Sequence, residues 1–334
     1  MPVRIAINGF GRIGRAAFKI ALTKPDVEIV AINDLSSVEN LVYLLKYDTA
    51  YGLYDKQVSF HDDFLVVDEK EYKVYAQTDP RNLPWKDLQV DVVLECTGKF
   101  VKDGTAIAHV EAGAKKVVIS APAKGSGNVP TFLIGANHDQ YLGQNLVSNA
   151  SCTTNCISPV ISVLHSKFKV LKSLMTTVHA VTSTQSIVDS AVRGSDFRKG
   201  RAGSYNIIPT STGAAVAATK AIPDLEGKFD GISLRVPVPV GSVSDITVLV
   251  DKKTSVEEVN NVFEEASKNP FYKNVLGVSK EPIVSSDIVG SPFSAIVDLE
   301  MTRVVDGDFI KVLAWYDNEW GYSNRLVEMA LLIA

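Results

Sequence analysis

Two short stretches hold the residues whose types and spacing suggest chemistry. In Ser148-Asn149-Ala150-Ser151-Cys152-Thr153-Thr154-Asn155-Cys156 an apolar strand leads in and an apolar helical stretch leads out. A thiol at a helix start lies at the positive end of the aligned peptide dipoles, so Cys152 is expected to have a lowered pKa and a raised thiolate fraction. Ser151 and Thr153 suit helix capping and present hydroxyls to an anion. Cys156, one turn further on, reads as an ordinary buried thiol. The second stretch, Met175–Thr182, carries His179 at the end of a strand. Cysteine plus a distant histidine is a nucleophile–base pair in the making, although sequence alone does not bring them together. The other histidines, His61, His109, His138 and His165, lie in helix or loop contexts without such a motif. No C-x-x-C or H-x-x-x-H spacing links Cys96, Cys152, Cys156 and His179, so no metal is expected.

Near the N-terminus, Ile7-Asn8-Gly9-Phe10-Gly11-Arg12-Ile13-Gly14-Arg15 places G-x-G-x-x-G between a strand and a helix. Each glycine meets a steric need, with a tight turn at Gly9, close approach of a pyrophosphate at Gly11, and helix–strand contact at Gly14. The N–H groups at the helix start then face an anion. The second strand ends in Asn33-Asp34, twenty residues past Gly14, where a carboxylate accepts from a ribose 2′-hydroxyl. That acid repels a 2′-phosphate, and Leu35-Ser36-Ser37 brings no cation to hold one. NAD is therefore favoured over NADP.

The elements around these motifs fall into two textures. Up to about residue 150, short Val/Ile/Leu-rich runs (4–8, 28–33, 91–96, 116–120, 131–135 and 145–148) alternate with helix candidates at 12–23, 38–46 and 105–112. This pattern predicts a doubly wound parallel sheet covered on both faces, a Rossmann-type α/β unit over residues 1–150. Beyond it, the runs 170–181, 231–236, 242–250, 294–299 and 308–316 alternate more and carry more Ser and Thr. They predict an α+β catalytic domain over 151–317 with a mainly antiparallel sheet. Ser255 and Glu258 fit a capping box for a helix over 256–268. A terminal helix within 318–334 is expected to pack back on the first domain.

With 334 residues the chain has the length of about two domains. Its 34 basic against 38 acidic side chains exclude a generally basic nucleic-acid coat. No apolar run approaches the ~18 residues of a membrane span. The first strand begins so early that no leader peptide is expected, and three cysteines are too few and odd in number for a disulfide framework, so a cytoplasmic location is expected.

Taken together, INGFGRIGR (7–15), AIND (31–34), ECTG (95–98), ISAPAKG (119–125), SNASCTTNC (148–156), TTVHAVT (176–182), NIIPTSTGAA (206–215), LRVPVP (234–239) and WYDNEWGYSNR (315–325) resemble the phosphorylating, NAD-dependent glyceraldehyde-3-phosphate dehydrogenases over essentially the whole chain. The resemblance implies Cys152 as nucleophile and His179 as its base. It implies Gly9, Gly11, Arg12, Ile13, Asp34, Ser120 and Asn318 on NAD. Ser151, Thr153, Thr182, Thr212, Gly213 and Arg235 would hold two phosphates, one on glyceraldehyde 3-phosphate and one incoming inorganic phosphate. The residue chemistry agrees: Arg235 is a permanent, fork-shaped cation, and Thr212-Gly213 offers a hydroxyl and an open N–H at the start of an Ala-rich helix. A homotetramer is also implied, with the loop 183–205 shared between subunits.

The chain departs from the family pattern at Gln77-Thr78-Asp79-Pro80-Arg81, where Thr78 stands at the usual arginine position and Arg81 is a candidate replacement. In the loop 183–205, Lys199 stands where a second consecutive arginine is common, and Arg193, Arg198 and Arg201 complete a basic run. An RNA- or partner-binding role for this run is secondary to a solvated or interface loop. The related erythrose-4-phosphate dehydrogenases share Trp320, whereas Thr212-Gly213 argues against that branch.

Overall fold

The computed structural model describes residues 1–192 and 195–334; Arg193 lies outside the described residues. In chain order the elements are β1 (Val3–Asn8), α1 (Arg12–Ala21), β2 (Val27–Asn33), α2 (Val38–Lys46), β3 (Tyr47–Asp48), β4 (Gly52–Leu53), β5 (Val58–His61), β6 (Phe64–Val67), β7 (Lys70–Tyr75), β8 (Val92–Glu95), α3 (Ala108–Glu111), β9 (Lys116–Ile119) and β10 (Leu146–Ser148). There follow α4 (Cys152–Phe168), β11 (Val170–Ala180), β12 (Ile208–Ser211), α5 (Ala214–Ala221), β13 (Phe229–Val236), β14 (Ser242–Val250), α6 (Val256–Lys268), β15 (Leu276–Ser279), β16 (Ala295–Val305), β17 (Phe309–Tyr316) and α7 (Trp320–Ile333). Two compact units result: residues 1–132, 139–150 and 323–334, and residues 133–138 and 151–322.

The first unit is built on an eight-stranded sheet of order β10-β9-β8-β1-β2-β7-β6-β5. Strands β10 to β7 run parallel, and the central strands β1, β8 and β9 are buried nearly throughout, as a sheet covered on both faces requires. Strand order reverses at β1, which has β2 on one side and β8 on the other, so a crevice opens beyond the carboxyl ends of these strands. Strands β5 and β6 add an antiparallel edge to β7 that the apolar runs did not announce. Two expected elements change. Residues 131–135 form a single bridge, Thr131 to Ser148, in place of a strand. Pro130 has no N–H to give a ladder, and Leu133 N donates instead to Asn137 Oδ1 at 2.9 Å. The expected helix 105–112 opens as a 3₁₀ turn over Thr105–Ile107 before α3.

The second unit has a seven-stranded sheet of order β12-β13-β11-β14-β17-β16-β15. It is mixed: β11 with β13 and β15 with β16 are parallel, and the other pairs are antiparallel. The alternation read from sequence is the alternation of burial. Met175, Thr177 and His179 of β11, Ile246 and Val248 of β14, and Tyr316 of β17 are buried. Among them Met175, Ile246, Val248 and Tyr316 share one core with Ile157, Val160, Ile161 and Leu164 of α4. Each fully buried aliphatic side chain stabilises this core by about 1.5–3 kcal/mol relative to exposure. In α6 the capping box is half made: Ser255 Oγ accepts from Glu258 N at 3.2 Å, while the Glu258 carboxylate accepts from Thr254 Oγ1 at 2.8 Å.

Candidate active site

Ala150, in the left-handed region with φ +51°, turns the chain after β10 so that Ser151 can cap α4. Ser151 Oγ accepts from Thr154 N at 3.2 Å, which places Cys152 in the first helical position. Helix α4 packs on the sheet, where His179 is the last residue but one of β11. The Cys152 Sγ to His179 Nε2 distance is 3.4 Å. Sequence separates the two by 27 residues; the helix–sheet packing joins them.

The register of β11 and β13 sets Arg235 directly beside His179. Arg235 Nη1 donates to Ala180 O at 3.1 Å and contacts His179 Nδ1, and Nδ1 also lies 2.7 Å from Ala180 O. The buried imidazole is pushed down to about 3, first by desolvation and then by the Arg235 charge, against the pull of Ala180 O. It is a neutral ring at physiological pH. The expected low-pKa thiolate is not what the structure shows: burial raises the Cys152 thiol above its ordinary value. Arg235, the Thr153 hydroxyl and the N–H groups of the first helical turn oppose that rise. Desolvation outweighs the helix start because the thiol is closed in by the sheet as well as by its own helix. Cys96 and Cys156 are raised by burial without a nearby cation.

Two groups of polar side chains and helix starts lie around this pair. The starts of α4 and α5 are linked by Ser151 Oγ to Thr154 Oγ1 at 2.9 Å and by Thr154 Oγ1 to Ala214 O at 3.4 Å. Gly213 precedes α5 with open space where a Cβ would stand, and Thr212 Oγ1 accepts from Ala214 N at 3.2 Å. On the other side, Arg235 Nε is buried and without a partner, an orphan donor that an anion would satisfy. Thr153 differs from its two neighbours: its hydroxyl lies 2.9 Å from Tyr316 OH inside the core. Thr182 Oγ1 lies with Thr184 Oγ1 (2.8 Å) and Gln185 Oε1 (3.0 Å). Tyr316 escaped the sequence reading. Its hydroxyl also meets Thr177 Oγ1 at 2.7 Å, and its ring edge faces the His179 imidazole. Its place on the inward row of an alternating strand was the available signal.

The first unit holds a cleft of about 270 Å³ at the strand-order reversal, lined among others by Gly9, Gly11, Asp34, Thr78 and Thr97. A Cβ on Gly14 would stand 2.1 Å from Gly9 O, so glycine is required for α1 to close on the turn. Gly9 has φ +93°, and a Cβ there would meet Thr97 N at 2.8 Å. Gly11 has nothing within 4 Å of that position, which is the room a pyrophosphate needs. It stands at the N-cap of α1, so the cleft meets the N-terminal end of that helix at a residue without a side chain. Asp34 Oδ2 accepts from Phe10 N at 2.7 Å and Oδ1 from Ser36 N at 2.9 Å. Carboxylate, glycine turn and helix start therefore fit a dinucleotide. The Arg12 guanidinium is engaged with Asp48 at 2.6 Å. Ser120 hydrogen-bonds the Cys96 thiol. Arg81 lies on Asp79 at 2.8 Å, in a neighbouring hollow, while Thr78 lines the cleft itself. Asn318, in the second unit, accepts through Oδ1 from Gly241 N (3.1 Å) and Ser242 Oγ (3.0 Å).

The cations of the basic loop are paired where described: Arg198 and Lys199 share Asp196, and Arg201 pairs with Asp189. Among the described residues no group of three or more His, Cys, Asp or Glu could hold a metal ion, and no helix is long and apolar enough to cross a membrane.

Residues 3–103 match the family model described as glyceraldehyde 3-phosphate dehydrogenase, NAD binding domain, and residues 151–318 that of the C-terminal domain. Curated relatives named glyceraldehyde-3-phosphate dehydrogenase include one from Borreliella burgdorferi, 50% identical over 98% of both chains. One from Zymomonas mobilis is 49% identical and one from Geobacillus stearothermophilus 47% identical, each over 100% of this chain and 99% of the relative.

Proposed function

The chain belongs to the glyceraldehyde-3-phosphate dehydrogenase family, and from that premise we propose that it catalyses the glycolytic oxidative phosphorylation of D-glyceraldehyde 3-phosphate to 1,3-bisphosphoglycerate with NAD and inorganic phosphate. The observation that carries the reading is the 3.4 Å approach of Cys152 Sγ to His179 Nε2 with Arg235 alongside.

The thiol of Cys152 gives its proton to His179 and adds to the aldehyde carbon; the developing oxyanion is stabilised by N–H donors at the start of α4 and takes the proton back from His179, giving the hemithioacetal and a neutral His179. The tautomer a general base requires is the one with Nδ1–H donating to Ala180 O, 2.7 Å away, which leaves the Nε2 lone pair facing the reacting centre. Bound NAD, held by the glycine turn, the α1 start and Asp34, supplies the hydride acceptor. His179 removes the hydroxyl proton as the carbon is oxidised, and a thioester on Cys152 results. Phosphate held by Ser151, the Thr153 N–H, Thr212 and Gly213 attacks the thioester carbonyl, and Cys152 leaves as thiolate. Arg235, with Thr182 as a second contact, holds the phosphate carried by the substrate. The Thr212-Gly213 site favours phosphorolysis over hydrolysis of the thioester, and so favours this reading over an erythrose-4-phosphate dehydrogenase.

The reading includes a homotetramer, supported by Leu174, Ile232 and Phe309 exposed on the outer side of the second sheet. It also includes a cytoplasmic location, supported by three free cysteines. NADH formation from glyceraldehyde 3-phosphate, measured with and without inorganic phosphate, tests the reaction. Turnover independent of phosphate refutes it, and sedimentation as a monomer refutes the assembly.

A further inference from the structure

Behind the dinucleotide cleft lies a buried polar network that the reaction does not use. Glu95, at the end of β8, and His109, in α3, are both shut off from solvent with His109 Nε2 3.1 Å from Glu95 Oε2. Trp85 Nε1 meets His109 Nδ1 at 3.0 Å. An indole N–H only donates, so Nδ1 accepts and the ring proton sits on Nε2, aimed at the carboxylate. Asn8 Nδ2 donates to the same Oε2. The other oxygen, Oε1, accepts from Thr97 N at 2.8 Å and from the Thr97 hydroxyl. All four acceptor positions of this buried carboxylate are thus filled, the condition under which it is tolerated away from water.

The network reaches the cleft in two directions. Through Asn8 it continues to Asn33, whose Nδ2 donates to Asn8 Oδ1 at 2.7 Å. Asn33 grips the main chain of Gln77, accepting from its N at 2.8 Å and donating to its O at 3.0 Å. Through Thr97 it meets the glycine turn, since a Cβ on Gly9 would lie 2.8 Å from Thr97 N and 2.9 Å from the Cys96 carbonyl carbon. The two walls of the cleft touch there with only hydrogen between them. A shift of Thr97 by a few tenths of an ångström is therefore transmitted to the first glycine of the pyrophosphate turn.

We propose that Glu95, held by His109 and Trp85, is a positioning residue for the dinucleotide: it fixes Thr97 against Gly9 and so sets the width of the cleft. The inference rests on the cleft being the NAD site, and the test keeps the two claims apart. In Glu95→Gln an amide N–H₂ replaces one acceptor oxygen and confronts donors, so Thr97 or Asn8 must move. The expected result is NAD binding about tenfold weaker by calorimetry on the folded protein, with the KM for NAD rising in parallel. The kcat at saturating NAD, the KM for glyceraldehyde 3-phosphate and the alkylation rate of Cys152 stay within twofold of the parent. Thr97→Ala, which removes only the hydroxyl at the outer end, keeps the test alive if Glu95→Gln does not fold; it should weaken binding about threefold, and Thr97→Ser should restore it. Asp34→Ala serves as the control for the site. Normal NAD affinity in the folded Glu95 and Thr97 variants beside a weakened Asp34→Ala overturns this inference alone. Normal affinity in all three overturns the cleft as the NAD site as well.

Discussion

Replacing Arg235 by leucine removes one cation that acts on two reactive groups at once. Its charge holds the Cys152 thiol below where burial alone would put it, and it depresses the His179 imidazole. Two unit charges ~4 Å apart interact by about 4 kcal/mol at an effective dielectric of ~20. The guanidinium charge is spread over three nitrogens and retains some contact with solvent, so a third of that figure, about 1.4 kcal/mol or one pK unit, is the working value. Both groups titrate at higher pH without the cation. For the thiol this means less thiolate: at pH 7.5 the second-order rate of alkylation by iodoacetamide should fall about tenfold. The rising limb of the pH–rate profile should move about one unit upward, to the same plateau. Cys96 and Cys156 should label slowly in both proteins, since burial raises both thiols and Cys156 is fully enclosed. The same substitution deletes the orphaned Nε donor. Charge-assisted hydrogen bonds contribute ~1.5–3 kcal/mol, so the KM for glyceraldehyde 3-phosphate should rise roughly 10- to 100-fold more than that for unphosphorylated glyceraldehyde. An alkylation profile superimposable on the parent's refutes the electrostatic argument, and equal KM increases for the two aldehydes refute Arg235 as the phosphate contact.

Asp34→Gly should narrow the NAD/NADP ratio of kcat/KM by at least about tenfold, chiefly through loss on NAD, because the carboxylate both repels a 2′-phosphate and holds Phe10 N; an unchanged ratio refutes the ribose contact. Thr212→Ala should leave the pre-steady-state NADH burst intact and slow the phosphate-dependent step about tenfold, and loss of the burst with normal phosphate dependence refutes the division into two anion sites. His179 has a folded-state pKa of about 3 against an ordinary 6.5, so the unfolded chain binds the extra proton between these values. Its neutral, buried form contributes stability above pH 6.5 that is lost as pH falls toward 3, about 3 kcal/mol by pH 4. The urea midpoint of His179→Asn should therefore fall less between pH 7 and 4 than the parent's, and parallel falls refute the assignment.

What the sequence made legible was local. Gly9, Gly11, Gly14 and Asp34 are read correctly as a turn, a helix start and a carboxylate because their constraints act within one β–α–β unit: Gly14 meets Gly9 O, and Asp34 reaches Phe10 N. Ser151 as the cap of α4 follows from the same short-range logic. The fold class followed from the change in alternation near residue 150, yet β5, β6 and β7 were missed: a partly exposed edge such as 58–61 alternates too weakly to stand out, and β7 is interrupted by Lys70, Glu71 and Lys73. The protonation state of Cys152 was not legible. A helix start acts over one turn, whereas the burial that overrides it comes from the packing of α4 against a core drawn from distant strands. The direction of the Thr153 hydroxyl depends in the same way on Tyr316, 163 residues away.

Several residues that face a ligand also hold the site together, and this decides how they can be probed. Asp34 binds two backbone N–H groups, Thr212 Oγ1 accepts from Ala214 N, and Ser151 Oγ accepts from Thr154 N. Asn318, implied as a contact to NAD, spends its oxygen on Gly241 N and Ser242 Oγ, and Ser242 Oγ in turn accepts from Ala180 N at 3.1 Å. The other end of residue 180, its carbonyl, is what orients His179 and Arg235. Truncating Asn318 to alanine would therefore disturb His179 through two hydrogen bonds before any loss of cofactor contact was felt. Asp is the informative replacement, since it keeps the accepting oxygen toward Gly241 and Ser242 and exchanges only the amide nitrogen. Preorganisation explains the pattern: a polar group fixed by a partner on one side loses less freedom when a ligand takes the other.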